Sequence, residues 1–393
     1  MIRGAWATRG YVEMKILVAH NAYQERGGED AVVDAEVALL RAFGHEVVEY
    51  RRDNAAIAAA SRFGLLRQTL WSHAAATEMG ELIRRAGPHV IHCHNTFPLL
   101  SPAIYWAAAK AGVPVVQTLH NFRLLCAQAM LLRDGEVCED CVGKLPWRGV
   151  TRKCYRDSAA QSAALVGMLG LHRAIGSYRN KVTRYIALSQ FSKRKLIEGG
   201  LPAQKILVKP NFVAAAAVHD GPRDGALFVG RLSEEKGLSV LTAALEALPG
   251  VTVDVIGTGP LRQTLECNAQ IRLLGQCSQE AVQTRMRGAD FLVMPSICYE
   301  QFPRTLVEAF GCALPVIASR LGPLAELIEH GRTGLLFEPG SARDLAQTIS
   351  FAKANPSLMR NLGRAARAEY EAKYTPERNH QQLMEVYSQV IAH

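Results

Sequence analysis

The chain has 393 residues, a length that accommodates two domains, each with a large hydrophobic core. Its 45 basic and 36 acidic side chains give a net charge of +9, and the excess lies in the first half: residues 1–210 carry 28 basic and 17 acidic side chains, residues 211–393 carry 17 and 19. This basic excess suggests an anionic partner, either nucleic acid or a membrane surface. No signature of a nucleic-acid-binding module is present, so we predict contact with an anionic membrane surface and no nucleic-acid partner.

Residues 1–13 show no periodicity and lack the apolar core of a signal peptide, so we expect a disordered tail or the product of an upstream start. No later apolar run approaches the roughly 20 residues that span a bilayer. The sequence therefore predicts a cytoplasmic protein, with any membrane contact at the inner face.

The first strand is predicted over Lys15 to Ala19, and a loop with Gly27 and Gly28 then opens a helix through Phe43. A glycine pair after a first strand lets the backbone approach a ligand closely. An ordinary turn is the simpler interpretation of the same pair.

Two later strands end in histidines. The strand at residues 89–92 runs into His94, and the strand at 115–119 runs into His120. Since parallel strands point the same way, both histidines are expected on one side of a sheet. A hydrogen-bonded structural role is the alternative for each histidine.

Residues 123–156 depart from strand–helix alternation and contain four cysteines: Cys126, Cys138, Cys141 and Cys154. Four thiols around a C-x-x-C predict a structural zinc site that pins a long loop. An iron–sulfur cluster and four unligated thiols are the alternatives, and a disulfide is disfavoured in the cytosol.

A long helical pattern over residues 158–178, with apolar residues such as Leu165, either packs on the sheet or lies against a membrane. Strands at 185–188 and 205–209 complete the first domain, and the alanine-rich stretch before Pro222 is predicted to be a linker. A second strand–helix series begins at Ala226, and after Gly340 the pattern is helical, with breaks at Pro356 and Pro376.

The first strand of this second series is followed by Gly230, Arg231 and Lys236. A guanidinium and an ammonium on a loop that enters a helix can hold a diphosphate from two directions. The loop is not a P-loop, because the glycine spacing differs, and an ordinary basic loop is the alternative.

The most informative stretch is residues 289–319. A buried strand ends near Pro295, Glu300 follows on a loop, and a helix is predicted from about Arg304 to Cys312 with Glu308 inside it. Loops at the carboxyl ends of parallel strands line ligand sites, and a helix start attracts anions. The carboxylates suit sugar hydroxyls, whereas helix capping and simple solvation are the alternatives.

Two glutamates eight residues apart, followed by AFGCALPVIA and by GPLAE at 322–326, resemble the donor-site signature of family 4 glycosyltransferases, which are retaining enzymes of GT-B fold. The resemblance implies that Glu300 contacts the donor sugar, that Glu308 holds the ribose, and that Arg231 and Lys236 bind the phosphates. It implies that backbone N–H groups between the glutamates hold the diphosphate, over Gln301, Phe302, Pro303, Arg304 and Thr305. Pro303 departs from the family's usual glycine and removes one N–H donor.

Further roles follow from the same resemblance. His120 would lie near the reacting sugar, Gly27 and Gly28 would face the donor phosphate and the acceptor, and the segment around Leu273 would lie near the base. A cysteine-bearing insert also occurs in some bacterial members of the family.

The resemblance predicts an α/β chain of GT-B fold, with two doubly wound Rossmann-like domains facing across a cleft. Residues 14–215 would bind the acceptor, residues 222–372 would bind the nucleotide sugar, and a helix at 376–393 would pack back on the first domain.

The predicted activity is transfer of a hexosyl group with retention, from a UDP- or GDP-sugar to a glycan or lipid-linked acceptor, in polysaccharide or glycolipid synthesis. No cofactor is required for catalysis, and the nucleotide sugar is a substrate. A sugar-nucleotide epimerase and a non-catalytic nucleotide-sugar-binding protein are the alternatives.

Overall fold

The structure is a computed structural model that describes residues 12–25, 27–54, 62–214 and 221–392. The chain forms two units. The first comprises the described residues up to Met130, residues 139–210 and the chain from Asn379, and the second comprises Leu131–Cys138 and Asn211–Arg378. Most of the predicted amino-terminal tail and the alanine-rich linker lie outside the described residues.

In the first unit, six parallel strands form one sheet in the order β2-β1-β3-β4-β7-β8, and β5 and β6 form a separate antiparallel hairpin that groups with the second unit. The strands are β1 (Lys15–Ala22), β2 (Glu46–Asp53), β3 (Val90–Cys93), β4 (Val115–Leu119), β5 (Leu132–Arg133), β6 (Glu136–Val137), β7 (Arg184–Ala187) and β8 (Ile206–Val208). The helices are α1 (Gly28–Ala42), α2 (Arg62–Leu70), α3 (His73–Ala86), α4 (Ala103–Lys110), α5 (Arg148–Thr151), α6 (Ala159–Ala174) and α7 (Gln190–Glu198).

The second unit contains six parallel strands in the order β11-β10-β9-β12-β13-β14. The strands are β9 (Ala226–Val229), β10 (Val253–Ile256), β11 (Ile271–Gly275), β12 (Phe291–Met294), β13 (Val316–Ser319) and β14 (Gly334–Phe337). Its helices are α8 (Leu238–Glu246), α9 (Arg262–Glu266), α10 (Gln279–Gly288), α11 (Arg304–Gly311), α12 (Gly322–Leu327), α13 (Ala342–Ala354) and α14 (Pro356–Lys373), and the last helix, α15 (Pro376–Ile391), belongs from Asn379 onward to the first unit.

Each sheet has a point at which the strand order reverses, between β1 and β3 in the first and between β9 and β12 in the second. These two sheets confirm the predicted pair of doubly wound α/β domains. In open α/β sheets, ligands bind at the carboxyl ends of the strands next to such a reversal.

Short apolar runs form the strands because both faces of each sheet are covered. In β1, Ile16, Leu17 and Val18 are 0–1% exposed. The strand continues through His20 and Asn21, which are both fully buried, so it is three residues longer than the apolar run predicts.

Helix α15 packs its apolar face into the core of the first unit. Leu383, Met384 and Tyr387 join a buried cluster with Ile16 of β1 and Val116 of β4. No helix in the described ranges is both long and apolar enough to cross a membrane.

Candidate active site

The second unit places two predicted loops side by side at its strand-order reversal. The loop after β9 carries Arg231 and Lys236, and the loop after β12 carries Ser296 and Glu300. The Ile297 N–H donates to the Glu235 carbonyl at 3.0 Å, which ties the two loops together through the backbone.

Lys236 and Glu300 form an ion pair in which Lys236 Nζ lies 2.6 Å from Glu300 Oε1. The Ser296 hydroxyl donates to the same oxygen at 2.7 Å. Among the residues that the structure describes, Oε2 of Glu300 has no hydrogen-bond partner. The carboxylate is therefore oriented by two donors on one oxygen, and its other oxygen is left to accept from a ligand hydroxyl.

Both members of this pair are charged at neutral pH. Burial alone would raise the pKa of the Glu300 carboxyl, but the Lys236 ammonium and the two hydrogen bonds outweigh burial and lower that pKa. Burial would lower the pKa of the Lys236 ammonium, and the Glu300 carboxylate raises it above the usual value.

Two glycines allow the loops to approach this closely. Gly237 has φ +70°, and a Cβ there would lie 1.8 Å from the Pro295 carbonyl oxygen. Gly257 has φ +142°, and a Cβ there would lie 1.9 Å from the Gly230 carbonyl oxygen. Backbone from three loops therefore packs together where no side chain fits.

Helix α11 begins with Arg304, and Pro303 is its N-cap residue. The predicted start of this helix is thus confirmed, and its first N–H groups, including that of Thr305, point out of the helix without intrahelical partners. Arg304 Nε lies 3.1 Å from Glu308 Oε1, one turn later. Burial raises the pKa of Glu308, and Arg304 opposes that shift.

The remaining predicted donor-site residues differ in how far they are buried. Arg231 is exposed on the same loop as Lys236, and Gln301 is half-buried. Phe302 is 6% exposed and packs edge-on against Tyr374, with ring centroids 5.7 Å apart. Leu273 packs against the hydrophobic core of the unit. Their contacts with a nucleotide sugar stay predictions.

In the first unit, the glycine loop is joined to the end of β1. The Gly27 N–H donates to Asp30 Oδ2 at 2.8 Å, and Asp30 Oδ1 lies 2.8 Å from His20 Nε2. A side chain at Gly28 would meet no atom within 4 Å, so the start of α1 is open. The predicted phosphate and acceptor contacts of Gly27 and Gly28 stay predictions.

His94 and His120 lie together at the carboxyl ends of β3 and β4, as the strand directions predict. His94 Nδ1 is 2.9 Å from His120 Nε2, and the rings stack with centroids 5.2 Å apart. Both line a pocket of about 50 Å³ that also contacts Asn121 and Arg123. Burial and neighbouring histidines lower the pKa of His94 to about 3 and that of His120 well below its usual range, so both rings are neutral.

Behind the histidine pair lies a buried acidic residue, Glu36 of α1. Its Oε1 is 3.0 Å from His92 Nδ1 and 3.4 Å from His94 Nε2, and its Oε2 is 3.1 Å from Lys209 Nζ. Burial would raise the pKa of Glu36, but Lys209 and the histidines hold it well below the usual value. Glu36 and Lys209 thus form a buried ion pair inside the unit, with His92 and His94 beside the carboxylate.

A candidate metal-binding group has at least three side chains whose ligand atoms all lie within 4.8 Å of one another. In the described parts of the chain, Glu36, His92 and His94 form such a group. The four predicted zinc cysteines, Cys126, Cys138, Cys141 and Cys154, are all half-buried and form no such group there. The zinc site stays a prediction, which metal analysis of the purified protein tests: well under one zinc per chain would refute it.

Sequence reasoning missed Ser296, Glu36 and Lys209. Ser296 adjoins the predicted strand end, and a hydroxyl four residues before Glu300 was a usable signal. Glu36 and Lys209 are 173 residues apart, and nothing local to either one indicates the other.

Two family models match consecutive parts of the chain. The model described as Glycosyltransferase Family 4 matches residues 26–216, and the model described as Glycosyl transferases group 1 matches residues 214–369.

Among curated relatives, an uncharacterized glycosyltransferase of Methanocaldococcus jannaschii is 30% identical over 213 residues, which are 53% of this chain and 60% of the relative. A D-inositol 3-phosphate glycosyltransferase of Pseudarthrobacter chlorophenolicus is 28% identical over 320 residues, 73% of this chain and 68% of the relative. The chain thus spans about three fifths to two thirds of the length of these relatives.

Solved structures match over nearly the whole chain. Anabaena HepE in complex with UDP has a TM-score of 0.68 at 18% identity and covers 96% of this chain and 100% of its own, and the same protein has been solved with UDP-glucose. Sucrose-phosphate synthase from Thermosynechococcus elongatus has a TM-score of 0.71 at 20% identity and covers 97% and 100%. At these identities the likeness concerns the fold, and it confirms the predicted GT-B class.

Proposed function

Because the chain belongs to the group 1 glycosyltransferases of family 4, we propose that it transfers a hexosyl group from a UDP- or GDP-sugar to a glycan or lipid-linked acceptor in cell-surface polysaccharide or glycolipid synthesis. The observation that carries the proposal is the Lys236–Glu300 pair at the strand-order reversal of the second unit. It combines a fixed cation, suited to a phosphate, with an oriented carboxylate, suited to a sugar hydroxyl.

The proposed reaction keeps the anomeric configuration. The bond between the anomeric carbon and the diphosphate oxygen breaks while the acceptor oxygen bonds to that carbon on the same face, and the acceptor proton passes to the departing diphosphate. Lys236, Arg231 and the start of α11 near Thr305 stabilise the negative charge that develops on the diphosphate. These fixed positive groups neutralise the leaving group, so the proposed chemistry requires no divalent metal.

A thermal-shift panel tests donor binding with UDP, GDP, ADP and their common sugar conjugates, on the wild type and on Glu308→Ala. A ligand that binds only the folded chain stabilises it by about 2.7 kcal/mol at a hundredfold excess over its Kd. We expect one nucleotide to stabilise the wild type selectively and the variant less.

A Glu246→Ala variant, altered at the end of α8, should keep the full shift. No shift with any nucleotide would contradict the proposal. Release of free nucleotide with a rearranged sugar and no acceptor product would instead indicate an epimerase.

For the partner surface, we propose that the first unit contacts an anionic membrane, which would present a lipid-linked acceptor. Leu145 is 47% exposed, Trp147 57% and Leu171 39%. Leu145 packs against Gly170 of α6, and Arg173 of α6 donates to the Lys144 carbonyl at 2.7 Å, so the loop and the helix end form one surface. We call Leu145, Trp147 and Leu171 the apolar ridge.

Charge around the apolar ridge fits an anionic partner. Residues 144–184 contain nine basic side chains and one acidic side chain, Asp157. Basic side chains near an anionic surface contribute about 1 kcal/mol each, and exposed aromatic residues add apolar burial at the headgroups.

A further inference from the structure

A continuous chain of polar contacts leads from the interior of the first unit to its ligand-facing edge. Lys209 Nζ lies 3.1 Å from Glu36 Oε2, Glu36 Oε1 lies 3.4 Å from His94 Nε2, and His94 Nδ1 lies 2.9 Å from His120 Nε2. The first three residues are at most 3% exposed, whereas His120 is half-buried and lines the pocket.

The charges along this chain fix where the protons sit. Glu36 is ionised because it pairs with Lys209, and a carboxylate accepts hydrogen bonds only. His94 Nε2 lies 3.4 Å from Glu36 Oε1 without forming a hydrogen bond, and a proton on this nitrogen is favoured because it keeps the ring lone pair away from the negative oxygen. A neutral His94 then has its lone pair on Nδ1, so it accepts a hydrogen bond from Nε2–H of His120.

This order of protons leaves His120 with its lone pair on Nδ1. That nitrogen has no hydrogen-bond partner among the described residues, and His120 contacts the pocket at the carboxyl ends of β3 and β4. A free acceptor at this place suits a donor group on the ligand, and the hydroxyl of a sugar supplies one.

We propose that Glu36 and His94 are positioning residues that hold His120 in the Nε2–H tautomer, so that its Nδ1 accepts a hydrogen bond from a sugar hydroxyl. The inference rests on the proposed glycosyltransferase function for the identity of the ligand. The tautomer itself rests only on the contacts within the first unit.

A metal ion is a poorer interpretation of the same side chains. Lys209 already neutralises Glu36, which is the only carboxylate in the group of three. A divalent cation would leave an uncompensated positive charge in a buried site, which is costly. The Lys209–Glu36 ion pair leaves these groups electrically balanced without a metal ion, although Glu36 Oε1 and His94 Nε2, 3.4 Å apart, do not form a hydrogen bond.

Two substitutions at His94 separate the proposed role from a merely structural one. In His94→Asn, the amide Oδ1 takes the place of Nδ1 and still accepts from His120. In His94→Gln, the amide reaches toward Glu36 and leaves His120 without an acceptor. We expect His94→Gln to lower kcat by about 10- to 100-fold with little change in the donor KM, as expected for an unpaired buried donor.

The Asn variant should keep kcat within about fivefold of the wild type, because it preserves the hydrogen bond to His120. Thermal unfolding of both variants reports whether each one folds. Equal losses of kcat in two folded variants would overturn the positioning role.

An NMR measurement on the wild-type protein tests the tautomer of His120 independently of any activity assay. In protein labelled with ¹⁵N-histidine, we expect a scalar coupling across the hydrogen bond between His120 Nε2 and His94 Nδ1, with the proton on the former. The coupling should persist in Asn21→Ala and be lost in His94→Gln.

A proton on His120 Nδ1 would overturn the inference even if the enzyme transfers sugar. If the coupling is present but the wild type transfers no sugar to any acceptor, the proposed function fails while the tautomer stands.

Discussion

At the scale of single residues, the donor loops depend on a few short contacts. Glu300 accepts two hydrogen bonds on one oxygen, and Lys236 gives one of them at 2.6 Å. Because both donors act on Oε1, removing either one changes the orientation of the carboxylate, and removing Lys236 also changes its charge balance.

Replacing Glu300 tests this arrangement. Glu300→Gln removes the negative charge beside Lys236, and the loss of a charge-assisted contact to the donor sugar should lower kcat/KM by about 100-fold. Ser296→Ala removes one neutral donor and should lower kcat/KM by about two- to tenfold. Steady-state kinetics with the identified donor measures both, and equal effects of the two variants would contradict the central role of the carboxylate.

The raised pKa of Glu308 predicts a pH dependence of nucleotide binding. As the pH falls through this raised value, Glu308 becomes protonated and loses both its pairing with Arg304 and its acceptor strength for a ribose hydroxyl. Affinity should therefore begin to fall at a higher pH than the ordinary glutamate pKa of 4.5 would give.

Nucleotide Kd values between about pH 4.5 and 8 measure this effect. In Glu308→Gln the group no longer titrates, so we expect weaker binding with a flatter profile. A wild-type profile that is equally flat would exclude Glu308 as a nucleotide contact.

At the scale of elements, the donor site depends on loops that pack backbone against backbone. Gly237 ends the turn after Lys236 and lies against the end of β12, and Gly257 lies against the end of β9. The loops that carry Lys236 and Glu300 can therefore lie this close together only because Gly237 and Gly257 have no side chain.

Gly237→Ala tests that requirement. The added Cβ would lie 1.8 Å from a carbonyl oxygen at a residue with φ +70°, so both the clash and the backbone strain destabilise the folded state. Gly250→Ala is the matched control, because Gly250 has φ +85° but no atom within 4 Å of the added Cβ.

We expect the free energy of unfolding in urea to fall by about 1 kcal/mol in the Gly250 control and by at least about 2 kcal/mol more in Gly237→Ala. Nucleotide binding should fall in Gly237→Ala alone. Equal destabilisation of the two variants would show that backbone conformation, and not the close approach, explains the glycine.

At the scale of the whole molecule, charge and exposed apolar surface are unevenly distributed. The first 210 residues carry a net charge of +11 (28 − 17), and the remaining residues carry −2 (17 − 19). The apolar ridge lies in the basic part of the chain, which is why we assign the membrane contact there.

Vesicle co-sedimentation tests the apolar ridge. The wild type should bind vesicles with about 30% phosphatidylglycerol, and binding should weaken as salt rises from about 0.05 to 0.5 M because charge screening increases. A Leu145→Ala/Trp147→Ala variant should bind several-fold less tightly.

Phe351→Ala is the control for the ridge, because Phe351 is 48% exposed but lies in the second unit. If Phe351→Ala weakens vesicle binding as much as the ridge variant, the ridge is not the contact surface. Preference for RNA over vesicles at equal salt would refute the predicted absence of a nucleic-acid partner.

The sequence predicted those features that depend on near neighbours. Strands β4 and β12 and the start of α11 lie where the apolar runs and prolines indicate, because a strand buried on both faces needs a short apolar run with breakers at its ends. The pairing of Lys236 with Glu300 was not predicted, but the sequence contains the information for it, since both residues follow strands of one predicted sheet.

Other features were decided by the tertiary structure alone. Strand β14, which is only Gly334–Phe337, was not predicted, because four apolar residues in isolation do not indicate a strand. The contacts from Lys209 to Glu36 and from Glu36 to His94 connect three segments that are far apart in sequence. Such contacts arise when the sheet brings its strand ends together, and burial then sets which groups are charged and which are neutral, so only the folded chain determines them.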